Sequence, residues 1–320
     1  MTFAKTVKNE LITIPISHTE MLAEFSAFLN LGCEFHIENS QKMIDFLTKN
    51  PTVTKRFLLL TKTLYQSETI LLKKDQQMFT KKPLIILRLT TQIDKIILEH
   101  GYLEDPIENA RMITNTKEEK KAFLRGAFLV TGSINDPKTA EYHLEIFSNK
   151  KEEIIFIQWL MNDFNLNARI TKRRNGYIAY LKDAESISDF IQLLGATNAV
   201  FKFEDSRIKR DFNNSINRIM NCEIANEKKS VIASQEQLND IKLINKYYIG
   251  GELDLKTTQA IDLRKKYPEA NLRELTEIFE KEYGETISKS GLNHRFGKIK
   301  KIADGIREGR KKWLLELELI

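Results

Sequence analysis

The chain is 320 residues long, which suits two domains that each bury a core of their own. Its 42% hydrophobic and 29% charged residues are the balance of a water-soluble globular protein, and apolar runs such as residues 154–157 fall far short of a membrane span. The N-terminus has no basic stretch leading into an apolar core, and the two cysteines, Cys33 and Cys222, stand far apart. The expectation is a cytoplasmic protein without a disulfide and without a membrane partner.

The first strong signal in chain order is Glu24-Phe-Ser-Ala-Phe-Leu-Asn-Leu-Gly32, an apolar helix carrying small residues. An alternating strand follows over 42–48, then an amphipathic helix over 52–65. A strand pair, 69–73 with 84–89, is joined by the longer stretch 74–83, and a helix over 91–100 closes the set. The same order then returns. Leu124-Arg-Gly-Ala-Phe-Leu-Val-Thr-Gly132 is followed by a strand over 141–148 and a helix over 152–164. Strands 168–174 and 177–181 meet at an Asn175-Gly176 turn, and the copy ends in a helix over 184–194. The pattern predicts an α+β domain over 1–204 with two antiparallel sheets, built from repeats at about 20–105 and 120–204.

Strand signals stop after Phe203. Residues 205–229 are polar and rich in Asn, and read as a helix running into a linker. A second helix over 234–248 ends at Gly250-Gly251. Further helices are predicted over 256–267, stopped by Pro268, and over 272–283, capped by Asn271 with Glu274 three residues on and closed by Gly284. The last opens at Ser288. Residues 230–320 are therefore expected to form an all-α domain.

The formal charge is +6, and residues 286–312 hold nine Lys or Arg against two acids, a local +7 that leaves the rest of the chain near −1. Charge concentrated in this way is the footprint of a phosphate-binding element. Leu272, Leu275, Ile278 and Phe279 share one helix face, and Leu292, Phe296, Ile299 and Ile302 share a face of the next helix. The short turn 284–287 between them predicts a helix-turn-helix. The second helix would turn Ser288, Lys289, Ser290, Asn293, His294, Arg295, Lys298 and Lys301 toward double-stranded DNA. Arg suits guanine, Asn suits adenine, and Ser or Lys suits phosphate. Gly291 would allow a neighbouring helix or the DNA backbone to approach closely. Around the second hairpin, Arg169, Lys172, Arg173 and Arg174, with Arg207 and Arg210 further on, are candidate phosphate contacts without base specificity.

The segments Phe123–Pro137, Asn217–Asn226, Leu272-Arg-Glu-Leu and Ile287-Ser-Lys-Ser-Gly-Leu-Asn-His-Arg295 closely resemble the WhiA family of bacterial DNA-binding regulators, in the family's own order. The resemblance covers nearly the whole chain. It implies an N-terminal domain of the LAGLIDADG homing-endonuclease type joined to a C-terminal helix-turn-helix. It also implies a transcriptional regulator linked to cell division that acts on promoter DNA with the transcription machinery, in the cytoplasm at the nucleoid. In that fold the two small-residue helices would be the paired motif helices. A nuclease of that type needs an acid at the eighth position of each, where two carboxylates hold divalent metal. With Gly32 and Gly132 at the ninth position, this chain has Leu31 and Thr131 at the eighth, and Glu24 where the first motif should open on an apolar residue. Glu34 and Asp136, beyond the helix ends, are expected to point elsewhere. No catalytic residue, metal or other cofactor is expected, and the chain is read as a non-enzyme. The alternatives are a residual metal-dependent endonuclease, or a scaffold whose duplicated domain binds a protein or a small ligand.

Overall fold

The computed structural model of the chain describes residues 2–74, 83–139, 141–247 and 253–317, with side chains other than Lys74 through Gly309. They fall into two compact units, Met1–Asp211 and Phe212–Ile320.

The N-terminal unit opens with α1 (Phe3–Leu11), which buries Phe3, Val7 and Leu11. Then come α2 (His18–Gly32), β1 (Cys33–Glu38), β2 (Gln41–Thr48), α3 (Pro51–Tyr65), β3 (Thr69–Lys74), β4 (Leu84–Leu89), α4 (Ile93–Glu99) and α5 (Pro106–Ile113). The second copy runs α6 (Lys117–Thr131), β5 (Ser133–Ile134), β6 (Leu144–Ser148), α7 (Lys151–Asp163), β7 (Arg169–Arg173), β8 (Gly176–Leu181) and α8 (Ala184–Leu194). Each copy makes a four-stranded antiparallel sheet, ordered β1-β2-β4-β3 and β5-β6-β8-β7. The identical order establishes the duplication. It is reinforced at the helix starts, where Ser17 with Glu20 and Thr116 with Glu119 form reciprocal capping boxes on α2 and α6.

The inward faces of the sheets, Ile44, Phe46, Leu87 and Leu89 in one and Leu144, Ile146, Ala179 and Leu181 in the other, close one hydrophobic core over α2 and α6. These two helices approach closely because Gly126 has no side chain. A Cβ there would lie 2.5 Å from the Glu24 carbonyl and 2.9 Å from Ala27 Cβ. Near the helix ends Gly32 does the same, where a Cβ would meet Val130 at 2.8 Å and the Phe46 ring at 2.7 Å.

Several expectations change. Strands β1 and β5 were not anticipated: each motif helix passes straight into a strand, with Cys33 and Gly132 already extended. The second hairpin turns on Arg174-Asn175, one residue before the expected pair. Gly176 belongs to β8, facing Arg173 across the ladder. A Cβ at Gly176 would sit 2.4 Å from the Ser148 carbonyl, so its role is close strand packing. The first copy's long connection, 74–83, lies mostly outside the described residues.

In place of a helix, a linker over 205–229 and a second helix, a single helix α9 (Thr197–Tyr247) runs through the whole segment. It contains neither Gly nor Pro, and its many Asn residues lower helix propensity without breaking it. Its predicted end at Gly250-Gly251 lies outside the described residues.

In the C-terminal unit, Ile241 and Ile244 of α9 join α10 (Leu255–Lys266), α11 (Leu272–Tyr283) and α12 (Lys289–Leu317) around a second core of Leu263, Leu275, Phe279, Leu292, Phe296 and Ile299. Arg264 is buried in it. Its guanidinium donates to Gln237 Oε1 at 2.9 Å and to the Ala270 carbonyl at 2.5 Å, and stacks 5.3 Å from the Phe296 ring centroid. Burial lowers its pKa, and the hydrogen bonds replace the lost hydration.

Candidate nucleic-acid interface

Helix α11 starts at Asn271, whose side chain accepts from the Arg273 and Glu274 amides while Glu274 returns a bond to the Asn271 amide. It stops at Gly284, whose φ of 70° is the left-handed geometry glycine tolerates best. Residues 285–288 then turn the chain into α12, and Ser288 accepts from the Gly291 amide at 3.0 Å as its cap. Leu292, Phe296, Ile299 and Ala303 lock α12 onto α11 and α10, which fixes the face left to solvent.

That face carries most of the anticipated residues. Lys289, Ser290, Asn293, His294, Lys298 and Lys301 are all exposed. Ser288 is committed to capping and to a 3.0 Å contact with the Ser290 hydroxyl. Arg295 is turned partly aside: its guanidinium donates to Asp254 at 2.9 Å, and Lys298 reaches the other oxygen of the same carboxylate at 3.3 Å. Asp254 also caps α10 through Thr257, and these hydrogen bonds and cations hold its carboxyl below the usual range. Gly291 packs back on its own turn, with Ser288 and Ile287 within 3.3 Å of a notional Cβ. Gly297, one turn beyond Asn293, is open instead: a Cβ there would meet nothing within 4 Å. Arg273, not among the anticipated residues, stands 85% exposed in the first turn of α11, with Glu277 3.8 Å from its guanidinium.

In the N-terminal unit, Arg169, Lys172 and Arg174 of the second hairpin are exposed, but Arg173 is held by Glu145 at 2.6 Å. Arg207 pairs with Glu204 at 3.5 Å. Arg210 is spent on the Thr139 carbonyl at 2.7 Å and on the Tyr142 ring at 3.9 Å. On the first sheet Asp45 grips Arg88 through two hydrogen bonds of 2.9 Å, beside His36 and Glu38, so Arg88 is already committed to protein carboxylates.

At the ends of α2 and α6, Leu31 and Thr131 border a cavity of about 300 Å³ with Asn30, Glu34, Phe147, Ser148, Lys150 and Glu153. Glu34 therefore does face the space below the helix ends, whereas Asp136 folds into a local turn with Lys138 and Thr139. Neither Leu31 nor Thr131 offers a carboxylate, and among the described residues no group of three or more His, Cys, Asp or Glu converges. These residues do not fit the divalent cation that a LAGLIDADG nuclease holds there.

Family models match along the chain: the WhiA N-terminal LAGLIDADG-like domain over residues 18–103, the WhiA LAGLIDADG-like domain over 120–213, and the WhiA C-terminal HTH domain over 216–303. A protein of Pediococcus pentosaceus named "Probable cell division protein WhiA" is 39% identical over 311 residues, 96% of this chain and all of that one. Its Enterococcus faecalis namesake is 38% identical, over 96% and 99% of the two chains. Among solved structures, full-length DUF199/WhiA from Thermotoga maritima superposes with a TM-score of 0.58 at 23% identity, covering 95% of this chain and 98% of that one, which supports the fold. With three family domains in order and near-complete coverage by such relatives, the chain belongs to the WhiA family.

Proposed function

We propose that the chain is a sequence-specific, non-nucleolytic transcriptional regulator linked to cell division, acting in the cytoplasm at promoter DNA on the nucleoid, with the transcription machinery as its functional partner. The observation that carries this reading is the exposed face of α12. Lys289, Ser290, Asn293, His294, Lys298 and Lys301 lie together at and beyond the start of the second helix of a helix-turn-helix, the element that enters the major groove in such modules. Asn293 is the adenine reader, and Lys298 and Lys301 follow the phosphates. Arg273, 85% exposed, adds a backbone contact from the first helix by leaving its solvent-exposed pair with Glu277. Arg295 and Lys298 exchange Asp254 for DNA on binding. In the N-terminal unit, Arg169, Lys172 and Arg174 are free to contact phosphate, whereas Arg173, Arg207 and Arg210 already have protein partners. The link to cell division rests on the names of the relatives.

Gel-shift titration against a promoter fragment tests the assignment. Asn293→Ala should weaken binding by about 1–3 kcal/mol and relax preference at one base pair. Lys298→Ala should weaken every sequence alike and flatten the salt dependence. Arg295→Ala should cost less than Asn293→Ala, because Arg295 gives up a protein contact when it binds DNA. Unchanged binding in the first two variants would remove α12 as the reading helix. Nicking of supercoiled plasmid with Mg²⁺, abolished by EDTA, would overturn the non-nucleolytic part.

A further inference from the structure

Over residues 211–229 every position of α9 is exposed, so this stretch of helix has no covered face. Five of its residues are Asn, which favours helix weakly, and Ile216, Ile219 and Ile224 are β-branched. Helix of this composition holds poorly alone in water, because most helical stability in proteins comes from packing an apolar face. Such a face is present. Ile208, Phe212, Ile216, Met220 and Ile224 recur at every fourth residue, and each is between 38% and 65% exposed. Side chains at this interval form a ridge inclined to the helix axis, and two such ridges interdigitate when their helices cross at about 50°.

We propose that this row is the interface of an antiparallel homodimer, with Ile216 on the two-fold axis. The row is apolar in the same steps in both directions from Ile216. In an antiparallel pair centred there, Ile216 meets its own copy, Phe212 meets the other copy's Met220, and Ile208 meets the other copy's Ile224, which is the self-complementarity a two-fold interface requires. The charges obey the same symmetry, and they favour a second copy over an unrelated partner. Lys209 and Glu223, both exposed, stand seven residues to either side of Ile216. Seven residues is nearly two turns, so both project on the side of Ile216, and each lies level with its opposite charge on the other copy. Each dimer therefore gains two ion pairs. The next charged positions outward, Asp205 and Glu227, would match like with like, but helices crossing at about 50° have parted by that point.

The test is sedimentation velocity of the full chain in reducing buffer, which prevents a disulfide through exposed Cys222 from supplying the link. Between about 1 and 100 µM, where a modest interface dissociates, the mass should rise from the 37.3 kDa of one chain toward twice that value. Ile216→Glu places two like charges on the axis and should raise the dissociation constant by about tenfold or more. Glu223→Lys sets a lysine against Lys209 of the other copy and should weaken association severalfold. Adding Lys209→Glu to it should restore association to within about twofold of the wild type, which only the antiparallel register predicts. All three positions are exposed, so the variants leave both cores intact and should melt with the wild type. The proposal is overturned by a chain that stays monomeric across the series, by a dimer indifferent to Ile216→Glu, or by a double charge reversal that stays as weak as Glu223→Lys alone.

Discussion

Glu24 illustrates how a single residue can be misread at the sequence level. By composition it looks like decay of an apolar motif, but in the fold it is fully buried and held by two arginines. Arg56 clasps it with hydrogen bonds of 2.7 and 2.9 Å, and Arg125 of the second motif helix reaches it at 3.4 Å. The arginines are satisfied in turn: Arg56 donates to the Ile12 and Ile14 carbonyls, and Arg125 to that of Leu194. One carboxylate thus ties together the N-terminal segment and both copies of the repeat. Removing its charge leaves two buried guanidiniums without a counterion, the situation in which a buried pair is costly to break. Glu24→Gln is therefore expected to destabilise the protein by about 3–5 kcal/mol in urea unfolding. A loss under about 1 kcal/mol would show that the network is not a structural tie.

At the scale of elements, what was legible followed from periodicity, but periodicity alone was not enough: α1, with Phe3, Val7 and Leu11 on one face, and β1, where Phe35 and Ile37 alternate with Glu34, His36 and Glu38, are absent from the sequence reading. Helices α3, α7 and α8 and strands β2, β4 and β8 carry alternating or amphipathic patterns and were placed within a few residues. Strand β5 is two residues long and β1 starts at the residue after α2 ends, so no turn signal separates either from its helix. The single helix α9 reads as two in the sequence because its middle is polar, although it holds neither Gly nor Pro to obstruct helical geometry. On α12 the exposed face followed from its apolar stripe. The Asp254 contact that turns Arg295 aside joins residues 41 apart in sequence and leaves no local trace. Two glycines separate packing from exposure. Gly126→Ala would drive a Cβ to 2.5 Å from a backbone carbonyl that cannot retreat, and overpacking of about 1–3 kcal/mol should outweigh the helix-propensity gain of about 1 kcal/mol. Gly297→Ala meets nothing within 4 Å and should stabilise the C-terminal unit by up to about 1 kcal/mol. Thermal melts of both variants check this pair, and a Gly126→Ala protein as stable as the wild type would contradict the close helix approach.

For the molecule as a whole, the two units differ in what acid does to them. In the N-terminal unit His100 is fully buried, with Nε2 2.7 Å from the Tyr65 hydroxyl, Nδ1 without a partner and the Phe25 ring against its edge. Burial pushes its pKa down to about 4 from an ordinary 6.5. The unfolded chain therefore binds a proton below pH 6.5 that the folded chain refuses until about pH 4, and stability must fall as pH drops through that window. A displacement of this size corresponds to about 3 kcal/mol when fully expressed. In the C-terminal unit Asp254 has its carboxyl held below the usual range, so its contribution persists above the ordinary carboxylate pKa and is lost only at lower pH. Acid should thus loosen the N-terminal unit first. Urea unfolding of the wild type and of His100→Gln at pH 7 and pH 4.5 isolates the effect: the wild type should lose about 2–3 kcal/mol more than the variant between the two pH values. Equal losses in the two proteins would mean that His100 is protonated in the folded state and that the acid sensitivity of this unit arises from its carboxylates.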